Sequence, residues 1–200
     1  MTNAQVFEDI YRRKVWGEGS GGGSGLEASA PYVQFANRII EREKPTTILD
    51  VGCGDGQVAS RLDLGGAFYV GIDPSATALS MARQRCPGLS FYLSDITCFD
   101  SVWFDLVAPE RRIGVVATDL LLCKEATQHM GIYDLVAYIN FAKRSKAVIH
   151  CSATQPGDTE RVRGGYAPFR LAGHMRVEES HQWEWGTGGY VVEFARGGDQ

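Results

Sequence analysis

Five short apolar runs separated by helix-forming segments constrain this chain more than any other feature. They are TTILDVG (46–52), FYVGID (68–73), LSFYLSD (89–95), IGVVATDLLL (113–122) and KAVIHCSA (146–153). Each is too short for an average helix and too apolar to keep one face in water. Strands apolar on both faces belong in a parallel sheet covered above and below. Between them, PSATALSMARQRC (74–86) opens on helix-starting proline and serine and puts Ala78, Leu79 and Ala82 on one face. IYDLVAYINFAKRSK (132–146) repeats Ile132, Leu135, Val136 and Ile139 at helical spacing and closes on cations that suit a helix C-terminus. APYVQFANRIIEREK (30–44) is a further amphipathic helix, stopped by Pro45. The alternation predicts an α/β fold with helices on both faces of the sheet. The last segment differs. HMRVEESHQWEWGTGGYVVEFAR (174–196) is two strand-like runs about Gly186–Gly189, a hairpin that adds an antiparallel strand.

Two hundred residues suit one domain. We expect it to span 1–200, with residues 1–30 as an N-terminal helix and lid and 31–200 as the core. The net charge is −4 with no block of lysine or arginine, which argues against gripping a nucleic-acid backbone. No stretch approaches the ~20 apolar residues of a membrane span. The opening MTNAQVFEDIYRRK lacks the apolar stretch of a secretory signal. Five cysteines (Cys53, Cys86, Cys98, Cys123, Cys151) are an odd number without a CxxC pair. That speaks against a metal site or a disulfide framework and for the reducing cytoplasm.

Two glycine-rich stretches then need a reason. GEGSGGGSG (17–25) has the composition of a flexible linker, yet the eighteen residues before Gly19 are too few to bury a core of their own. LDVGCGDG (49–56) ends the first strand and opens the next helix, a place where open parallel sheets bind ligands. Asp73 ends the second strand, placed to accept both hydroxyls of a ribose. Asp95 ends the third, placed to accept from the amino group of a purine.

On these residues the chain resembles the class I S-adenosylmethionine-dependent methyltransferases. ILDVGCGDG, YVGIDPS, SDI and VVATDLLL are similar to that family's first four motifs. The resemblance implies a Rossmann-like seven-stranded sheet, parallel except for an antiparallel C-terminal strand, and S-adenosylmethionine (SAM) as cofactor. It implies Gly52, Cys53 and Gly54 along the methionine end, Asp73 on the ribose, and Asp95 with Ile96 on the adenine, with Asp50 and Pro74 in the same motifs. Asp119 is a candidate for the methionine amino group or the acceptor. Some small members enter through a helix, a Trp-Gly and a glycine/serine-rich turn, which YRRKVWGEGSGGGSG resembles. There Trp16 anchors the entry helix and the glycine run acts as a hinge or lid.

The catalytic groups are harder to read. Methyl transfer from a sulfonium is an in-line displacement that needs proximity, exclusion of water and in some cases a base. The N-methylating Asn/Asp-Pro-Pro-aromatic signature is absent, and where some relatives carry Asp-x-x-x-His, Cys123 stands in the histidine's place. The catalytic candidates are His150, read as ending the fifth strand, Asp119, read as ending the fourth, and His129 in the loop after it. The long stretch QPGDTERVRGGYAPFRLAG (155–173) offers Arg163, Tyr166 and Arg170 to an acceptor. The expected activity is methyl transfer to a small molecule by a monomer or homodimer, with neither nucleic acid nor membrane as partner. The alternatives are a cofactor-binding protein of this fold without methyl transfer, pericyclase-like or regulatory, or a protein or nucleic-acid methyltransferase.

Overall fold

The computed structural model describes residues 2–98, 118–153, 164, 176–182 and 187–193. Seven strands form one sheet: β1 (Thr47–Val51), β2 (Phe68–Asp73), β3 (Ser90–Leu93), β4 (Leu120–Lys124), β5 (Ala147–Ala153), β6 (Arg176–Gln182) and β7 (Thr187–Glu193). Their order is β3-β2-β1-β4-β5-β7-β6. All neighbouring pairs are parallel except that β7 runs antiparallel to both β5 and β6. The order reverses between β1 and β4, so their C-terminal ends part and open a crevice there.

Alternation along the central strands sends side chains to two cores. Ile48, Leu120, Leu122 and Ile149 pack with Tyr32, Phe35 and Ile39 of α2 (Leu26–Glu43) and with Leu79 and Ala82 of α3 (Ala76–Arg85). Leu49, Val51, Leu121, Cys123 and Val148 face the other way, onto Leu135, Tyr138 and Phe141 of α4 (Ile132–Ala142). A period of two along a strand does this without further instruction. Each fully buried leucine or phenylalanine contributes roughly 1.5–3 kcal/mol. Ser75 caps α3 by accepting from the Ala78 amide at 3.1 Å, as its place before the helix predicts. Among the described residues no helix is long and apolar enough to cross a membrane.

Three expectations are corrected. The fourth strand begins at Leu120 and runs on to Lys124, rather than ending at 122. Its first predicted residues, 113–117, lie outside the described ones. LDVGCGDG does not open an α-helix: β1 ends at Val51 and β2 begins at Phe68, with one 3-10 turn, Ala59–Arg61, between them. Gly52, Gly54 and Gly56 have positive φ and Leu62 is already extended, so the residues between them are too few for a full helix. Thr187, Gly188 and Gly189, expected in the hairpin turn, are strand residues of β7 paired with Ala153, Ser152 and Cys151. Trp183, Trp185 and His174 lie outside the described residues.

The shift of β4 relocates Asp119. It precedes the strand, at the sheet edge opposite the crevice, and accepts from the amides of Thr46 (2.9 Å) and Thr47 (3.2 Å). Lys146 pairs with its other oxygen. Partial burial raises its pKa, but Lys146 and Thr46 outweigh that and bring it down to about 2. Asp119 ties strand ends together and is remote from any ligand in the crevice.

Candidate functional site

Two tight turns build the floor of the crevice. Past β1 the chain reverses at Gly52 (φ +73°) and Gly54 (φ +58°), a backbone region that side chains disfavour. The amides of Gly52 and Cys53 both donate to Ile72 O, at 2.9 and 3.1 Å, which seats this turn on the end of β2. There Asp73 is held from two sides. Its Oδ2 accepts from the Gly54 amide at 3.1 Å and its Oδ1 from the Ser75 amide at 2.9 Å. Burial pushes its pKa up to about 7 against the pull of these two bonds, with Asp50 and Asp55 adding to the rise. Asp50 is also buried and raised, to about 6, although Tyr69 Oη donates to its Oδ2 at 2.7 Å. No cation is among the groups that act on either carboxylate. Among the described residues neither of these buried acceptors has a positive partner.

Above them lies a cavity of about 280 Å³, near the lower end of the size of small-molecule sites. Of the residues singled out by sequence, Trp16, Asp50, Gly52, Cys53, Gly54, Asp73, Pro74, Asp95, Ile96 and His129 line it. His150 does not. It lies within β5, opposite Cys123 and Tyr190, and is 0% exposed. Its Nδ1 is 3.1 Å from Tyr138 Oη and its Nε2 is 3.5 Å from Thr127 Oγ1. A fully buried imidazole engaged on both sides has no path to an acceptor, so His150 is a structural residue. Arg163, Tyr166 and Arg170 lie outside the described residues.

The N-terminal segment forms the rest of the wall. From α1 (Asn3–Arg12) come Phe7 and Tyr11, followed by Trp16 and residues 20–24. Trp16 sits at the centre of an aromatic group, 6.1 Å from Phe7, 6.0 Å from Tyr11 and 4.7 Å from the His129 ring. Glu8 fastens α1 to α3: its carboxylate accepts from the Thr77 amide at 3.0 Å, from Ser75 Oγ at 2.9 Å and from Thr77 Oγ1 at 2.6 Å. Partial burial raises the Glu8 pKa, yet these bonds outweigh it and hold the group ionised below its ordinary value.

Beyond β4, Glu125 adopts φ +55° and its amide donates to Cys151 O at 2.7 Å. Non-glycine residues seldom take this conformation, and such strain gathers at functional sites. Glu125 and His129 line the same cavity, four residues apart. An acid and a histidine are therefore present at this strand end, six residues beyond the positions the apolar run suggested. Sequence reasoning missed Glu8, Tyr11, Ser20, Asp55 and Glu125. The only signal for Glu125 was its place after the last apolar residue of the run.

Residues 48–145 match the family described as a methyltransferase domain. The trans-aconitate 2-methyltransferase of Acidovorax ebreus (strain TPSY) is 33% identical over 86 residues, which cover 42% of this chain and 31% of that protein. The protein of the same name from Delftia acidovorans is 30% identical over 129 residues, covering 57% and 43%. The chain thus spans less than half the length of these curated relatives. Among solved structures, the magnesium protoporphyrin IX methyltransferase of Synechocystis PCC 6803 with bound SAM superposes with a TM-score of 0.62. It is 14% identical and the match covers 98% of both chains, a likeness of fold.

Proposed function

We propose that this chain, whose residues 48–145 match a methyltransferase domain, is a class I S-adenosylmethionine-dependent methyltransferase that transfers a methyl group from SAM to a small-molecule acceptor. Asp73 carries this reading. A carboxylate buried at a strand end, with no cation beside it among the described residues and with bare glycine backbone next to it, is suited to hydroxyl donors such as those of a ribose. Ile96 offers an apolar contact and Asp95 an acceptor, a pair that suits a purine. Gly52, Cys53 and Gly54 leave the backbone open along the remaining floor.

When bound, SAM supplies an electrophilic methyl on a sulfonium. The protein's part is to hold the acceptor in line, keep water out and receive a proton. Trp16 and the glycine run close one side of the cavity, which supports their reading as a lid. His129 is the imidazole exposed to the cavity and is assigned as the proton acceptor. We assign Arg163, Tyr166 and Arg170 to the acceptor. The support is their neighbour Gly164, whose amide donates to His129 O at 2.9 Å. A carboxylate-bearing acceptor is the first class to test, because the curated relatives are named for trans-aconitate and two of these three residues are arginines.

Calorimetric titration with S-adenosylhomocysteine at pH 8 tests the cofactor site. Asp73→Ala removes charge-assisted bonds worth about 1.5–3 kcal/mol, which corresponds to roughly 10- to 150-fold weaker binding. Equal affinity in wild type and variant would take Asp73 out of the site. Incubation with SAM and candidate carboxylates, read by mass spectrometry for an added methyl group, tests the reaction.

A further inference from the structure

We propose that the glycine run is a clasp whose missing side chains are notches for core carboxylates, with Asp55 as the residue that positions it. A Cβ built on Gly19 would fall on Asp55 Oδ2, and one built on Gly23 would fall on Glu125 Oε2. A Cβ on Gly22 meets nothing within 4 Å. None of the three has positive φ, so alanine is conformationally permitted at each and only the space differs. A flexible linker has no reason for this pattern.

The notches are matched by bonds. Ser20 Oγ donates to Asp55 Oδ1 at 2.9 Å and accepts from the Asp55 amide at 2.8 Å and from Tyr11 Oη at 2.8 Å. Gly54 is the reciprocal notch, since a Cβ there would fall on Ser20 Oγ. Asp55 cannot move aside easily. It is 1% exposed and its Oδ2 also receives Gln57 Nε2 at 2.9 Å and Arg85 Nη1 at 3.2 Å. Farther along, Lys124 Nζ donates to Gly23 O at 2.8 Å and to Glu125 Oε2 at 2.8 Å. Glu125 has a longer side chain and, among the described residues, its carboxylate is restrained by Lys124 alone, so it yields at lower cost. The clasp therefore joins the glycine turn after β1 to the end of β4, across the crevice. It rests on the cofactor reading only for what it encloses.

Hydrogen exchange of amides 17–25 in the full-length protein without ligand is the test. Wild type and Gly22→Ala should exchange alike, Gly19→Ala should exchange at least tenfold faster, and Gly23→Ala should fall between. Ser20→Ala adds no bulk and should match Gly19→Ala, which separates loss of the clasp from a folding defect. Equal exchange in all three alanine variants of glycine would overturn the clasp, and so would an unchanged Ser20→Ala. S-adenosylhomocysteine titration then reads the other premise on its own. A graded exchange pattern in a protein that does not bind S-adenosylhomocysteine would leave the clasp standing and remove the cofactor. Where the ligand binds, Gly19→Ala and Ser20→Ala should release it faster than wild type, and identical release would sever the clasp from the site.

Discussion

His129→Ala is expected to lower turnover by about 10² to 10⁴ while changing cofactor affinity little. The imidazole lines the cavity and packs tilted against Trp16 with ring centroids 4.7 Å apart, and the Gly164 amide donates to its backbone carbonyl. A base so held can take a proton from an acceptor as the new bond to carbon forms. The loss should sit in kcat, since His129 is assigned to no part of the cofactor. The pH profile of kcat should lose its acid limb with the histidine. His150→Ala should behave in the opposite manner. It leaves the Tyr138 and Thr127 hydroxyls without this buried partner, costing about 1–3 kcal/mol of stability, with turnover per folded molecule retained. An unaltered kcat in His129→Ala, measured on an acceptor that wild type methylates, would leave proximity alone as the catalytic device.

The contrast between these two histidines shows what could be read from the chain. The floor of the site was legible because its chemistry is local. Gly52, Gly54 and Asp73 sit at strand ends, and strand ends are announced by an apolar run breaking into glycine or acid. The sheet followed from the same runs, and the two cores from their period of two. His150 was misread because a polar residue inside an apolar run looks like the end of that run. Its partner Tyr138 arrives from α4, and nothing local in the sequence pairs them. Asp119 failed for the converse reason. IGVVATDLLLCK is apolar across it, so the start and end of the strand could not be told apart until the β1 and β4 registers were known.

The N-terminal wall was legible as a segment but not as a mechanism. Glu8 meets Thr77 and Ser20 meets Asp55 over 69 and 35 residues of chain. Pairings of that span leave no periodic trace. Composition carries no trace of them either, since a glycine-rich run reads only as flexibility. In the folded chain two of those glycines are places where a carboxylate needs the room a side chain would take.

The second large effect concerns pH. Asp73 is raised to about 7 and Asp50 to about 6, both chiefly by burial, from an ordinary value of 3.8. The folded protein therefore keeps these protons to higher pH than the unfolded chain does. Between about pH 4 and 7 the native state binds more protons, so stability falls as pH rises through that window. At about 1.4 kcal/mol per pKa unit, Asp73 alone contributes a loss on the order of 4 kcal/mol. Asp119, pulled down to about 2 by Lys146 and Thr46 against its own burial, has the opposite sign and acts only below about pH 4. Melting temperatures of the ligand-free protein should accordingly drop from about pH 5 to pH 8, and Asp73→Asn should flatten most of that slope. Cofactor binding should reverse the preference. With ribose hydroxyls donating to the ionised carboxylate, as proposed, its pKa should fall in the complex and a proton should be released on binding. Affinity for S-adenosylhomocysteine should then rise with pH up to about 7, by at most tenfold per unit, and level off above it. Calorimetry near pH 6 in two buffers of different ionisation enthalpy would register the released proton, and Asp73→Asn should release none. Binding that is independent of pH and releases no proton would place the ribose away from Asp73, whatever the affinity.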